Sequence, residues 1–336
     1  MSSLDFEHYK FVADKGQKPL RVDKFLLNFI EFATRNKIQN AIKNGHVKVN
    51  DIVVKSNYKV KSDDKVTVVY DNPKENYDLI AQNIPINIEY EDDDIIIVNK
   101  DAGMVVHPGH GNRKDTLVNA LSYHFKSLPV AENKERPGLV HRIDKNTSGL
   151  LVIAKNQSSM SILSKKFYDR KIDRRYIALV WGNLENDTGT ISGNIGRHPK
   201  NRKIMTVFSN SDKGKVAISH YKVLERFHYT TLVECKLDTG RTHQIRVHFQ
   251  YLGHPLFNDL EYGGAKILRG TVFTKYKQFV LNCFKICKGQ ALHAKSLSFS
   301  HPTTNKKLIF DSDLCSDFKK LVDKWRKYSI NQNANC

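Results

Sequence analysis

Long apolar runs are missing from this chain of 336 residues. No stretch of about 18 apolar residues occurs, so a membrane-spanning helix is not expected. The first residues, MSSLDFEHYKFVADKG, have no apolar core and carry acidic groups, unlike a secretory leader. Cysteine is scarce: five residues, an odd number, with no CxxC pair. Cys283 and Cys287 stand four apart, but no second ligand pair follows at zinc-site spacing. Reduced thiols, a cytoplasmic location and no bound metal are the expectation. Internal repeats and low-complexity tracts are also absent. Acidic charge is in short supply, with 35 Asp+Glu against 54 Lys+Arg, a net charge of +19. Such an excess suits a polyanion, because each neutralised phosphate releases condensed counter-ions. By itself it leaves open a nucleic acid, an acidic membrane surface or a merely solvated basic surface.

What is present is ordinary for a globular protein: 40% hydrophobic and 26% charged residues. Residues 1–20 read as a polar extension. Val22, Phe25, Leu26, Phe29 and Ile30 then fall on one helical face, and Ile38, Ala41 and Ile42 repeat the pattern before Gly45. Val47 and Val49 alternate as in a strand, Asn50-Asp51 can turn the chain, and Val66 and Val68 alternate again. Residues 21–70 thus form a small module, and the polar stretch 71–84 reads as a linker. A larger domain is expected over 85–328, followed by a polar tail, 329–336. Strand candidates there are IIIV (95–98), LLVIA (150–154), YIALV (176–180) and YTTLVECKL (229–237). Helical faces are formed by Met160, Leu163 and Phe167; by Ile245, His248, Phe249 and Leu252; and by Phe318, Leu321, Val322 and Trp325. Strands outnumber helices without alternating with them, which predicts an α+β fold with a mixed, largely antiparallel sheet. No extended apolar face is left unassigned, so a monomer is expected.

The most informative stretch is RPGLVHRIDKNTSGLLVIAK, residues 136–155. It reads as a polar loop leading into a buried strand, with Thr147, Ser148 and Gly149 able to form a tight turn behind Asp144. On spacing alone, Asp144 beside His141 and Arg142 fits an ordinary loop carboxylate as well as a catalytic one. The segment resembles the H-R-L-D-x-x-T-S-G-L-L signature of the RluA/RluD-type RNA pseudouridine synthases, with Ile143 in place of Leu. YEDDDIIIVNKDAGMVVHPGHG (90–111), with Asp101 where a Pro is usual, RRYIALVWG (174–182), LDTGRTHQIRVHFQYLGHPLFND (237–259) and ALHAKSLSFSHP (291–302) resemble further motifs of that family, in the same order. The module over Arg21 to Val68 resembles an S4 RNA-binding domain through RVDKFLLNFI and NGHVKVNDIVV.

The resemblance implies an isomerase that converts uridine to pseudouridine in RNA. That reaction breaks the N1–C1′ bond, turns the uracil and joins C5 to C1′. It involves no redox step and adds no group, so no cofactor is expected. Asp144 is then the catalytic carboxylate. Attack on the sugar, attack on the base and removal of a sugar proton to give a glycal all remain open, and each needs an ionised Asp. A carboxylate in a closed pocket tends to stay protonated unless a cation faces it, and the family's motif implies Arg246 for that role, with Thr242 capping its helix. Tyr176 matches the tyrosine that packs on the extruded uracil. Arg142 either enters the RNA stack in place of the base or binds phosphate; Arg241 binds phosphate or supports its loop. His107, His110, His243, His248 and His293 are read as packing or hydrogen-bonding residues. In the N-terminal module Lys37, Lys43, Lys48, Lys55, Lys59 and Lys61, with Asp51 among them, form a basic stripe suited to phosphates. The layout resembles the RluD/RluC branch, which implies large-subunit ribosomal RNA as partner. Two other readings stand beside this one: a non-catalytic RNA-binding or ribosome-assembly factor retaining the fold, and a glycosidase, which would want a second carboxylate such as Asp238 or Asp259.

Overall fold

The computed structural model describes residues 6–30, 35–70, 79–109, 112–125, 127–130, 136–201, 203–208 and 213–333. The chain divides into two compact units, one built on residues 1–79 and the other on 80–130 and 135–336. Among the described residues no helix is long and apolar enough to cross a membrane. Most of the stretch expected as a linker, His110 and the side chain of Lys37 lie outside the described residues.

The first unit contains β1 (Phe6–Val12), β2 (Leu20–Arg21), α1 (Val22–Phe29), α2 (Arg35–Lys43), β3 (Val47–Val49), β4 (Ile52–Val53), β5 (Lys59–Val60) and β6 (Lys65–Tyr70). The two helices form where the apolar spacing places them, and Val22, Phe25, Leu26, Ile38, Ala41 and Ile42 are buried against Val47, Val49, Val66 and Val68. Asn50 and Asp51 both take positive φ, 48° and 65°. That is the left-handed pair that a two-residue hairpin between β3 and β4 requires. Over residues 6–12 the expected polar extension is instead a strand. β1 lies in this unit's sheet, paired antiparallel with β6, and Tyr9 and Phe11 pack on its core. A register shift between Glu7 and Tyr9 inserts one extra residue into this strand, so the two-residue alternation that marks a strand is broken in the sequence.

The second unit carries β7 (Asn87–Glu91), β8 (Ile95–Lys100), α3 (Leu117–His124), β9 (Ser148–Ala154), α4 (Gln157–Tyr168), β10 (Asp173–Trp181), β11 (Thr188–Arg197), β12 (Met205–Phe208), β13 (Lys215–Phe227), β14 (Thr230–Leu237), α5 (Gln244–Tyr251), α6 (Thr274–Ile286), β15 (Leu292–Ser300), β16 (Lys307–Asp311) and α7 (Ser316–Asn333). Ten strands form one sheet in the order β12-β11-β13-β14-β10-β15-β9-β8-β7, with β16 branching from β15. Every pairing is antiparallel except β9 with β15, as the mixed-sheet expectation has it. The strands read as unbroken apolar runs because both faces are covered. Ile96, Val98, Leu151, Ile153 and Ala178 enter one core, Ile95, Ile97, Leu150 and Val152 a second, and Leu179 and Trp181 a third beneath α6 and α7. Phe318, Leu321, Val322 and Trp325 of α7 are buried in that third core. The helix runs on to Asn333, past the tail expected from residue 329, since no breaking residue stands before that point.

The parallel contact is local: Ser148 pairs with His293 and Gly149 with Ala294. Gly149 has φ +107°, and a Cβ there would stand 2.3 Å from the carbonyl oxygen of Ala294. Only glycine lets β9 approach β15 this closely. The loop before β9 is therefore delivered to the middle of the sheet, beside β10 and β15. Elsewhere, His301 bonds Asp92 at 3.0 Å, while Asn156 and Ser159 both bond Asp94 at 2.7 Å. These contacts tie the turn before β8 to α4 and to the end of β15.

Candidate active site

The loop from Leu139 to Thr147 alternates its side chains. Ile143 is buried, Arg142 is exposed, and Asp144 turns into a cleft of about 670 Å³. His141 is fixed by the backbone N–H of Val152, which donates to its Nε2 at 3.0 Å, and by stacking on Phe167 at 4.5 Å between centroids. The turn behind Asp144 begins two residues earlier than the sequence suggested. Lys145 and Asn146 form it, closed by the N–H of Thr147 on the carbonyl of Asp144 at 3.1 Å, and Ser148 already belongs to β9. Lys100, buried at the end of β8, locks this turn. Its ammonium donates to the carbonyls of Asp101, Met104 and Lys145 at 2.6, 2.9 and 3.0 Å. Burial pushes the Lys100 amine down to about 7, against the opposing pull of the Asp144 and Asp101 charges. Three carbonyl acceptors for three N–H bonds favour the charged form.

Arg246 faces Asp144 from the first turn of α5. Its Nη1 donates to Asp144 Oδ2 at 3.2 Å. Its Nε and Nη2 grip Asp259 at 2.7 and 2.8 Å, and Nη2 also donates to Glu261 at 2.6 Å. The guanidinium lies 4.8 Å from the ring centroid of Tyr262. Burial works against its charge, but the bidentate bond to Asp259 and the charges of Asp259, Asp144 and Glu261 more than offset that and raise its affinity for the proton. Thr242 does not cap the helix. The residue before α5 is His243, in the left-handed conformation at φ 55° with no side-chain capping bond. His243 instead serves the cleft: its Nδ1 meets the Tyr262 hydroxyl at 2.8 Å and its Nε2 stands 3.9 Å from Asp144 Oδ1. The Tyr262 hydroxyl also accepts from the N–H of Met205 at 2.9 Å, which fixes its place beside His243. Burial lowers the His243 pKa.

Tyr176 lies on β10 between Cys235 of β14 and Ala294 of β15, and is 7% exposed. Burial raises its phenol pKa, with Arg174 acting the other way and Asp144 adding to the rise. Asp144, Tyr176, Arg246, Arg142 and Arg241 all line the one cleft. Arg241 also donates from Nε to the carbonyl of Val216 at 3.0 Å, which holds its loop. His107 is buried with Nε2 3.5 Å from Arg142 Nη1. Asp259, one of the two candidates for a glycosidase's second carboxylate, is fully buried as the partner of Arg246. Asp238 lines the cleft but pairs with His220 at 2.9 Å. In the first unit Lys43, Lys55, Lys59 and Lys61 are exposed and Lys48 is half-buried.

Two further histidines of these motifs are fully buried: His248 against Ser219 at 2.9 Å, and His293 between Ser148 at 2.9 Å and Ser312 at 3.0 Å. Burial lowers each to about 4, with Lys295 adding to the effect at His293. Their folded pKa values lie below the ordinary value of about 6.5. The unfolded chain therefore binds more protons between about pH 4 and 6.5, and stability falls as pH falls through that window. Each histidine should cost on the order of 1–2 kcal/mol between pH 7 and pH 5. Urea unfolding at the two pH values checks this, and His248→Asn should remove part of the dependence. An unchanged midpoint would refute it.

The sequence model of the family described as RNA pseudouridylate synthase matches residues 94–251, and that of the S4 domain matches residues 20–66. The solved structure of human RNA pseudouridylate synthase domain containing 4 shares the fold of the larger unit, with a TM-score of 0.52, 23% identity, and coverage of 71% of this chain and 93% of that one. The architecture is thus a pseudouridine synthase domain joined to an S4 domain. An uncharacterized RNA pseudouridine synthase of Chlorobaculum parvum is 45% identical over 315 residues, covering 93% of this chain and 96% of that protein. The ribosomal large subunit pseudouridine synthase D of Nitrosomonas europaea is 39% identical over 303 residues, covering 90% and 83% respectively. The chain belongs to the RNA pseudouridine synthase family and is an isomerase.

Proposed function

We propose that the protein isomerises specific uridines of large-subunit ribosomal RNA, with Asp144 as the reacting carboxylate, Tyr176 as the surface on which the extruded uracil packs, and Arg246 as the cation that faces Asp144 and aims it. The observation that carries this reading is convergence: three residues from the loop before β9, from β10 and from α5 meet in one cleft, with Arg246 3.2 Å from Asp144. A protein that merely bound RNA would have no use for a buried arginine directed at a carboxylate inside a cleft. Tyr176 offers a flat ring that holds a pyrimidine through each orientation it passes on the way from N1 to C5 attachment. A uridine in paired RNA must leave its stack to reach this depth, and exposed Arg142 at the rim is placed either to fill the gap or to hold phosphate. Relatives from Nitrosomonas europaea and Vibrio cholerae carry the name ribosomal large subunit pseudouridine synthase D, which supports the choice of RNA. The test is to map pseudouridines in ribosomal RNA from cells with and without the protein, then to restore the missing ones with purified enzyme. Identical maps would overturn the reading.

The S4 unit supplies affinity in this scheme, through the lysines of α2 and the short strands that follow. Removing residues 1–79 should weaken RNA binding and leave a folded catalytic unit with its own cores. Every phosphate that the truncated protein no longer neutralises lowers the slope of log K against log[salt] by roughly 0.7–0.9, so three or four such phosphates change it by about 2–3. Titrating both proteins against one RNA at several salt concentrations measures this. Superimposable slopes would show that the unit does not track phosphates.

A further inference from the structure

Arg174 is the odd arginine of the cleft. It is 9% exposed, and its Nε is buried with no hydrogen-bond partner. Among the described residues no carboxylate and no carbonyl pairs with its guanidinium. Its neighbour Arg175 bonds Asp173 at 3.3 Å and Glu234 at 2.8 Å, and Arg246 is held by three carboxylates. Arg174 is held by shape alone. Its guanidinium carbon lies 5.4 Å from the Phe167 ring centroid, and a Cβ on Gly240 would stand 2.8 Å from its Nη1. The aromatic face and a glycine without a side chain leave a slot that the planar cation fills. A guanidinium keeps its charge in a protein, so a buried one without an acceptor is an unmet demand for an anion.

The slot opens on the cleft that holds Asp144 and Tyr176. Arg174 and Tyr176 are two residues apart on β10 and so project from the same face, their backbones roughly 6–7 Å apart. That is the reach from a nucleobase to the phosphodiester of its own nucleotide. Around the cation stand groups that do not compete for it: the ring of Phe167, neutral His141 and the side-chain-free Gly240. Burial, with Arg174 adding to it, lowers His141 to about 3, so this imidazole brings no second positive charge beside the guanidinium. Tyr168, 87% exposed, stands on the rim beside them.

We infer that Arg174 is the anchor for a phosphodiester adjoining the uridine that reacts, its charge left unpaired in the free protein so that this phosphate becomes its counter-ion when the base enters the cleft. The inference rests on the reading that the cleft takes a uridine of RNA. It assigns Arg174 a binding and positioning role, with the guanidinium as a planar two-pronged donor that sets the depth at which the ribose meets Asp144.

The test couples protein and RNA changes. The probe is a stem-loop carrying a mapped target uridine, with a methylphosphonate placed singly at the phosphodiester 5′ or 3′ of it. For wild-type enzyme one of the two substitutions should lower kcat/KM about ten- to a hundredfold, and Arg174→Met on unmodified RNA should lose a similar factor. The same methylphosphonate should then cost Arg174→Met less than twofold more. Arg174→Lys, with charge but no fork, should fall between. A structural arginine would make the protein less stable when removed. Here Arg174→Met should melt no lower than wild type in the absence of RNA, because it removes an uncompensated charge. Independent losses at both phosphates, or a marked fall in melting temperature, would overturn the inference while leaving the activity itself standing. Failure of the wild-type enzyme to form pseudouridine in any ribosomal RNA fragment would remove the underlying reading, and the anchor with it.

Discussion

Asp144→Asn lowers pseudouridine formation by at least about three orders of magnitude, with RNA affinity within a fewfold of wild type. The amide keeps the size of the carboxylate but not its charge or its nucleophilic, proton-accepting oxygens, and every route open to this isomerisation needs the ionised group. Folding should be little disturbed. Arg246 keeps Asp259 and Glu261 as partners, the turn behind Asp144 is closed by backbone atoms, and Lys100 holds it through carbonyls rather than through the side chain. Binding rests chiefly on phosphates, which Asp144 does not touch. Single-turnover kinetics on a ribosomal stem-loop, paired with a filter-binding titration, separates the two effects. Residual turnover near wild type would end the assignment of Asp144.

How much of this could be read from the residues follows from the range over which each feature is determined. The buried strands announce themselves as apolar runs because the sheet is covered on both faces, and α5 shows in the spacing of Ile245 and Phe249. Asp144, Tyr176 and Arg246 were legible through motifs, each a local pattern. What the motifs do not carry is who meets whom. Asp259 lies in the same stretch as Arg246, yet its role as the buried partner depends on the chain turning back after α5. His243 looks like a packing residue until the left-handed bend before α5 aims its Nε2 at Asp144. Lys100 lies two residues past the apolar run IIIV and shows no role of its own in the sequence. Its grip on Lys145 spans 45 positions and becomes visible only when β8 and β9 are side by side. Arg174 sits in a motif chosen for its tyrosine, and its isolation is a property of neighbours that the chain brings from residues 167 and 240. β1 was hidden by its own bulge. Apart from β1, the periodicity or motif identifies the element, and the long-range pairing assigns the side chain its task.

The Arg246–Asp259 pair should show the largest effect on stability. Asp259 has no exposure, binds Arg246 through both oxygens, and accepts the backbone N–H groups of Glu261 and Tyr262 at 3.1 and 3.2 Å. Removing Arg246 strands the fully buried Asp259 in the interior, which costs roughly 3–5 kcal/mol, whereas removing Asp259 leaves Arg246 with Asp144 and Glu261 and costs less. Arg246→Met should therefore destabilise the catalytic unit by about that much, since Asp259 is then left with only two backbone donors, and Asp259→Leu should destabilise it by less. Removing both is different in kind. The double variant Arg246→Met with Asp259→Leu fills the volume with apolar atoms and leaves no lone charge, so stability should return to within about 1–2 kcal/mol of wild type. Activity should not return, because Asp144 has lost the cation that faces it. Arg246→Lys separates the roles further: a lysine brings charge but cannot grip Asp259 with two parallel bonds while reaching Asp144, so turnover should fall much more than stability. Urea unfolding of the four proteins of the cycle, read beside single-turnover rates, checks all of this. A coupling below about 0.5 kcal/mol between positions 246 and 259 would mean that the pair does not hold Arg246 in place. Recovery of activity in the apolar double variant would mean that Asp144 does not need the cation.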